Sequence, residues 1–227
     1  AQDEAHPPAM TANERKTMLR YVKGQFEGAA WKDGEAEYLE WGSGGSTSTY
    51  GTAAKRAYSV EHAVAWCDVV KAWPEMQCMS EGNRWHLLCH DPELELREWG
   101  YPKNRSISAA TFQEHMRLYV QAPAHFNRTT YDVVLIDGRH RNACAYSILP
   151  YLHAGSIVAW HDFDTTAWNR LSTPVHLDAA TGKFPKESHI REYWKAAGRV
   201  FQEVEHVDAL ALFRIKPALL QHMQYAA

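Results

Sequence analysis

The chain has no uninterrupted apolar run near the eighteen or so residues that a membrane span needs. Its opening stretch, Ala1 to Met10, is polar and proline-bearing, unlike a signal peptide. The chain begins with alanine, which leaves a removed leader or anchor open, and the compartment with it: cytoplasm or secretory-pathway lumen. It has no excess of positive charge, since 24 Lys and Arg stand against 27 Asp and Glu for a formal charge of -3 at pH 7. That balance gives no general attraction to nucleic acid or acidic membranes, so a nucleic-acid partner is not expected. The four cysteines, Cys67, Cys78, Cys89 and Cys144, show no C-x-x-C spacing, so neither a thiol zinc site nor a redox pair is signalled. They read as small buried apolar residues. Internal repeats, low-complexity tracts and long polar linkers are also missing. With 45% apolar content, 227 residues can bury one sizeable core, so one domain over 1–227 is expected, with 1–30 as a helical extension. Oligomeric state is not encoded in any of these features.

Most informative among the features present is Glu40-Trp41-Gly42-Ser43-Gly44-Gly45-Ser46-Thr47. Ala36 to Trp41 reads as a buried strand, the glycines allow a tight turn and close approach to a ligand, and Thr47 to Lys55 can continue as a helix. Glu61 follows about twenty residues later, where a doubly wound sheet places a carboxylate for ribose hydroxyls. The nicotinamide fingerprint wants a third glycine where Thr47 stands, and no Tyr-x-x-x-Lys pair occurs, so an oxidoreductase is disfavoured.

Thr11-Ala12-Asn13-Glu14 has the form of a capping box opening a helix to about Gln25, with Met18, Leu19 and Val22 on its apolar stripe, expected on the edge of the sheet. Short apolar runs then alternate with helical segments: Ala36 to Trp41, Ala57 to Val60, Trp85 to Cys89, Tyr131 to Ile136 and Ser156 to Trp160. Such alternation predicts right-handed crossovers and a parallel sheet. Arg199 to His206 and Ala209 to Ile215 are joined too tightly at Asp208 for a crossover, so they should pair antiparallel. The expected fold class is α/β, a doubly wound, mostly parallel seven-stranded sheet with a C-terminal hairpin. Asp91 to Arg128 and Phe163 to Ile190 are long connections leaving the carboxyl edge and are expected to wall an acceptor site.

The first constellation, an acid closing the first strand and then G-x-G-G, resembles motif I of class I S-adenosylmethionine-dependent methyltransferases. The resemblance implies S-adenosylmethionine as cofactor. It would be held by Glu40, Gly42, Ser43, Gly44, Gly45, Ser46 and Thr47, with Glu61 and its neighbour His62 at the ribose and Asp91 near the adenine amino group. Tyr131-Asp132-Val133-Val134-Leu135-Ile136-Asp137-Gly138-Arg139-His140 and Gly155-Ser156-Ile157-Val158-Ala159-Trp160-His161-Asp162 resemble the fourth and fifth strand motifs of metal-assisted O-methyltransferases, particularly the sugar-modifying branch related to macrocin methyltransferases. In that branch the matching positions imply a divalent metal at Asp137, His161 and Asp162, and His140 as general base. His161 stands where the branch often has a carboxylate; plant glucuronoxylan methyltransferases also carry a His-Asp pair there. A mixed imidazole and carboxylate set suits manganese, cobalt or zinc better than magnesium.

Methyl transfer from a sulfonium to an alcohol is an in-line displacement, and the alcohol is a poor nucleophile unless its proton leaves as the bond forms. A histidine titrating near neutrality can take that proton. The expected function is therefore O-methylation of a sugar or glycan hydroxyl. A small phenolic or natural-product hydroxyl is the alternative acceptor, and a noncatalytic methyltransferase-like binding module the alternative class. Other readings stay open: Asp137 as a cap for a helix starting near Arg139, Asp164 in place of His161 or Asp162, Arg139 and Arg141 toward an anionic acceptor or else solvated or ion-paired, and Trp41, Trp66 or Trp99 stacking on adenine or a sugar face.

Overall fold

A parallel neighbour requires a crossover long enough to hold a helix, and the chain supplies one between each of its first five long strands. The computed structural model describes residues 6–97, 101–104, 106–163 and 195–224. Its main sheet contains β1 (Glu37–Trp41), β2 (Arg56–Glu61), β3 (Trp85–Cys89), β4 (Tyr131–Ile136), β5 (Leu152–Trp160), β6 (Phe201–Val207) and β7 (Leu210–Ile215). The order across the sheet is β3-β2-β1-β4-β5-β7-β6. The first five strands are parallel, β7 is antiparallel to β5, and β6 pairs antiparallel with β7 through a turn at Asp208, whose φ is +53°. Asp tolerates that left-handed conformation better than most side chains.

Register sets where function can lie. Trp41 stands opposite Val60 and Ile136, and Ile136 opposite Trp160. The residues that follow, Gly42, Glu61, Asp137 and His161, therefore share the carboxyl edge of one sheet. Side chains alternate between its faces. Leu39, Trp41, Val134, Ile136, Val158 and Trp160 pack with Met116, Tyr119, Cys144 and Ile148 on one side. Tyr38, Val133, Leu135, Ile157 and Ala159 pack with Met18, Tyr21, Val22, Val70 and Met76 on the other.

The first helix, α1 (Ala12–Val22), begins with both halves of the expected capping box. Thr11 N–H donates to Glu14 Oε2 at 2.7 Å, and Glu14 N–H donates to Thr11 Oγ1 at 3.2 Å. Its placement differs from expectation: α1 lies across a face of the sheet, with Met18 and Val22 fully buried, and not along an edge. Burying each such side chain contributes roughly 1.5–3 kcal/mol, which an edge position could not supply. The helix expected from Thr47 runs instead from Gly45 to Ala53, with a π-wound centre at Thr47–Gly51. The connection from 91 to 128 carries short helices at Ala109–His115, Arg117–Val120 and Ala122–Phe126 and a two-stranded ribbon of Leu96–Arg97 with Tyr101–Pro102. Of the wall expected over 163–190, only Phe163 falls within the described residues; Asp164 and Trp99 lie outside them.

Three of the four cysteines depart from the reading as buried small apolar residues. Cys67, on α2 (Val64–Lys71), forms a disulfide with Cys89 at the end of β3, while Cys78 is exposed and Cys144 is buried and free. The bridge fastens the sheet's terminal parallel strand to the helix beside it. Closing a loop across a separation of 22 residues restricts the unfolded chain by about 3 kcal/mol in the chain-entropy description. Replacing both cysteines by serine should lower the melting temperature by about 5–10 °C, measured calorimetrically; an unchanged midpoint would mean that the bridge adds nothing to stability.

Candidate functional site

Glu40 has no exposed surface. An ionised carboxylate in such a place must collect donors, and four hydroxyls supply them. Tyr38 and Ser46 donate to Oε2 at 2.9 and 2.7 Å, Ser59 to Oε1 at 2.7 Å, and Thr47 to the same oxygen. Thr47 Oγ1 also accepts the Gly44 N–H at 2.9 Å, and Ser59 Oγ accepts the Trp85 indole N–H at 2.9 Å. Glu40 therefore holds the glycine turn from beneath, and its own oxygens are saturated. Burial pushes its pKa up to about 7 against the pull of those hydroxyls.

Above this anchor the turn is built by close approach. Gly42 has φ +96°, and a β-carbon there would lie 3.2 Å from the backbone of Asp137 and Gly138; any side chain would separate the ends of β1 and β4. A β-carbon on Gly45 would meet the Pro7 backbone at 2.5 Å, so the segment ahead of α1 lies directly on the turn. Glu61 is also buried. Its Oε2 accepts Ser43 N–H at 3.1 Å, and its Oε1 accepts His62 N–H at 2.8 Å and Ala63 N–H at 2.9 Å. His62 Nδ1 comes within 2.9 Å of Glu61 Oε1 but off the line of a hydrogen bond, and both ring nitrogens are buried without a partner. Ser43 Oγ is likewise buried and unpartnered. Asp91, by contrast, is exposed and accepts the Glu93 N–H at 2.8 Å in a turn. Trp41 is a core residue whose indole N–H donates to the Tyr119 carbonyl at 2.8 Å, whereas Trp66, 42% exposed, donates to the Ser43 carbonyl at 2.8 Å.

Next to this turn, α3 (Arg141–Ser147) starts after His140, which adopts φ +52° with no side-chain cap. Asp137 thus does not cap that helix. His140 packs its ring on Phe112 at 4.8 Å between centroids, and its Nε2 is buried without a partner. Burial, then the charges of Arg139 and His62, lower its pKa. It is therefore neutral and able to accept a proton at neutral pH.

Asp137, His161 and Asp162 come together as expected, with one potential ligand atom from each all within 4.8 Å of one another. His161 Nδ1 and Asp137 Oδ1 are hydrogen-bonded at 2.9 Å, and His161 Nε2 lies 3.6 Å from Glu14 Oε2. Burial alone would lower the His161 pKa, but the hydrogen bond and charge of Asp137, then Asp162 and Glu14, outweigh it and raise it. Of the readings open for Arg141, ion pairing is the one the structure shows. Arg141, with its side chain 5% exposed, reaches Asp137 Oδ1 at 3.2 Å and Asp162 Oδ2 at 2.8 Å. The signal for it was present in the i, i+4 spacing of Asp137 and Arg141 across a helix start. Glu14 reaches this site from the opposite end of the chain through the capping box.

The fold matches solved structures over nearly the whole chain. A methyltransferase-like protein from Silicibacter pomeroyi aligns with TM-score 0.59 at 20% identity, covering 95% of this chain and 94% of that one. The O-methyltransferase TomG from Streptomyces achromogenes, solved with S-adenosylmethionine, aligns with TM-score 0.54 at 14% identity, covering 92% and 82%. A cofactor-bound protein from MTB gives TM-score 0.55 at 16% identity, covering 93% and 84%. The chain has the Rossmann-like methyltransferase fold. No protein-family model matches the sequence, and a search of the curated proteins finds no match. Ligands of open α/β sheets bind beyond the carboxyl ends of the strands, and Ser43, His62 and His140 carry buried polar atoms without partners there.

Glu40 makes a testable contribution. Its folded-state pKa of about 7 lies above the ordinary 4.5, so its share of stability is full below the unfolded value and is lost as pH rises through about 7. Relative to Glu40→Gln, wild type should lose stability between pH 4.5 and 7 and change little above, as read from urea denaturation. A gap that widens with rising pH would contradict the burial argument.

Proposed function

We propose that this protein is an S-adenosylmethionine-dependent O-methyltransferase. The observation that carries the reading is the set of buried, unpartnered polar atoms just beyond the carboxyl ends of β1, β2 and β4: Ser43 Oγ, both His62 ring nitrogens and His140 Nε2. Buried polar groups are nearly always hydrogen-bonded, and a ligand with ribose hydroxyls and a charged amino-acid moiety supplies partners of that kind. Glu61 keeps lone pairs beyond those used by its three backbone donors and would accept the ribose hydroxyls. The turn Gly42 to Gly45 would pass beneath the donor's amino-acid end, with Ser46 and Thr47 acting through their bonds to Glu40.

His140 is the general base of this reading. It is held in place by its left-handed backbone and by Phe112, and burial keeps it neutral near pH 7. It would take the acceptor hydroxyl's proton as the oxygen attacks the methyl carbon. The acceptor we favour is a sugar or glycan hydroxyl. The exposed Trp66 ring beside Ser43 supports it, offering a flat apolar face with one edge already hydrogen-bonded, the kind of surface on which a sugar ring stacks. No helix among the described residues is long and apolar enough to cross a membrane.

The experiment is a methyl-transfer assay with S-adenosylmethionine against sugars, glycans and phenols. With an active acceptor, His140→Gln should reduce kcat by about 10²–10⁴-fold and leave donor affinity nearly unchanged. A second outcome concerns pH. Because the His140 pKa is lowered, the acidic limb of kcat/KM should lie below the ordinary histidine range and be absent from the residual activity of His140→Gln. A fully active variant, or a limb at higher pH that survives the substitution, would remove His140 from the base role.

A further inference from the structure

We infer that the cation serving the Asp137/Asp162 cluster is the guanidinium of Arg141, and that this site operates without a divalent metal. The inference rests on the methyltransferase reading only in assigning the cluster to the acceptor side of the site. Backbone carbonyls and carboxylates both meet this side chain. Its Nε–H donates to the Gly138 carbonyl at 3.0 Å. One terminal nitrogen donates to the His161 carbonyl. The other reaches the Asp137 carbonyl and Oδ1, both at 3.2 Å, and Asp162 Oδ2 at 2.8 Å. The planar fork therefore joins the chain just beyond β4 to the chain just beyond β5, a geometry that an ammonium or a spherical ion cannot reproduce. Asp162 accepts a left-handed backbone, φ +56°, in the position that faces it.

The donor set fits a dication poorly for the same reasons. A metal ligated by Asp137 Oδ1 and His161 Nδ1 would need both atoms to present lone pairs, yet they now share one proton in a hydrogen bond at 2.9 Å. It would also have to take Asp137 and Asp162 from Arg141. That would leave a buried guanidinium, 5% exposed, beside a second positive charge and short of two of its acceptors, which is among the costliest arrangements in a protein interior. The two carboxylates are already compensated. With no Lewis acid on the acceptor oxygen, activation falls to proton removal at His140, and Arg141 is a positioning residue that fixes Asp137 and His161 at the ends of their strands.

The test is Mn²⁺ binding by the full chain saturated with S-adenosylhomocysteine, read by electron paramagnetic resonance of the free ion, with donor binding read separately by calorimetry. Wild type should show no stoichiometric Mn²⁺ site, and methyl transfer should survive exhaustive chelation. Arg141→Met, which removes the competing charge, should bind Mn²⁺ at least about tenfold more tightly than wild type, and Asp137→Asn added to it should abolish that gain. If Arg141→Met does not fold, Arg141→Lys keeps the charge and should remain as silent toward Mn²⁺ as wild type. A stoichiometric Mn²⁺ site in wild type that Asp137→Asn removes would overturn the inference. Failure to bind S-adenosylhomocysteine would instead strike the methyltransferase reading and leave the guanidinium assignment standing.

Discussion

A carboxylate sealed inside the sheet, Glu40, sets the position of everything on the functional edge. Its four hydroxyl donors come from β1, β2 and the first turn of the helix that follows the glycines. Through Ser59 it is linked to Trp85 on β3, and through Thr47 to the Gly44 amide. Three neighbouring strands and the glycine turn thus meet at one buried carboxyl group. Loss of the side chain would leave several hydroxyls without an acceptor, and such orphaned groups cost far more than the net gain of any one bond. The π-wound centre at Thr47–Gly51 begins at Thr47, the residue pinned to Glu40. Irregular helix of this kind is frequent at functional sites.

The edge above Glu40 carries two histidines in opposite electrostatic settings. His140, desolvated and near other cationic groups, is kept neutral; His161, between Asp137, Asp162 and Glu14, is driven toward its charged form. Environments that push like groups apart divide labour between them. His140 is suited to accept a proton. His161 and Arg141 compensate the acids that the strand ends bring together. Glu14 extends this network to α1, since its Oε1 accepts the Ala209 N–H at 2.7 Å while its Oε2 faces His161. The start of the chain, the C-terminal hairpin and the site therefore meet at one side chain.

Much of the scaffold was legible in the sequence because parallel strands covered on both faces read as short continuous apolar runs. Tyr131 to Ile136 and Trp85 to Cys89 have the bounds read from their composition. β5 starts four residues earlier than its apolar run, since His153, Ala154 and Gly155 are polar or small yet still extended. A capping box tells where a helix begins and says nothing of what it lies on, so the face position of α1 was hidden. The Cys67–Cys89 bridge was hidden too: its spacing matches no motif, and only the crossover through α2 brings the two together. In the site, the acids and histidines at strand ends were legible from register, whereas for Arg141 ion pairing was one reading among others and its partners were hidden. Its role depends on its turning back across the helix start to reach the chain beyond β5, which no local pattern encodes.

The central claim is that a sulfonium nucleoside rests on the glycine turn with its ribose on Glu61, and titration calorimetry with S-adenosylhomocysteine tests it most directly. The account predicts stoichiometric binding to wild type, no comparable heat with NAD, and affinity weakened by about 10–100-fold in Glu61→Gln, which keeps the shape and removes the charge that accepts the two hydroxyls. Absence of binding to the wild-type chain, or equal affinity in Glu61→Gln, would contradict it.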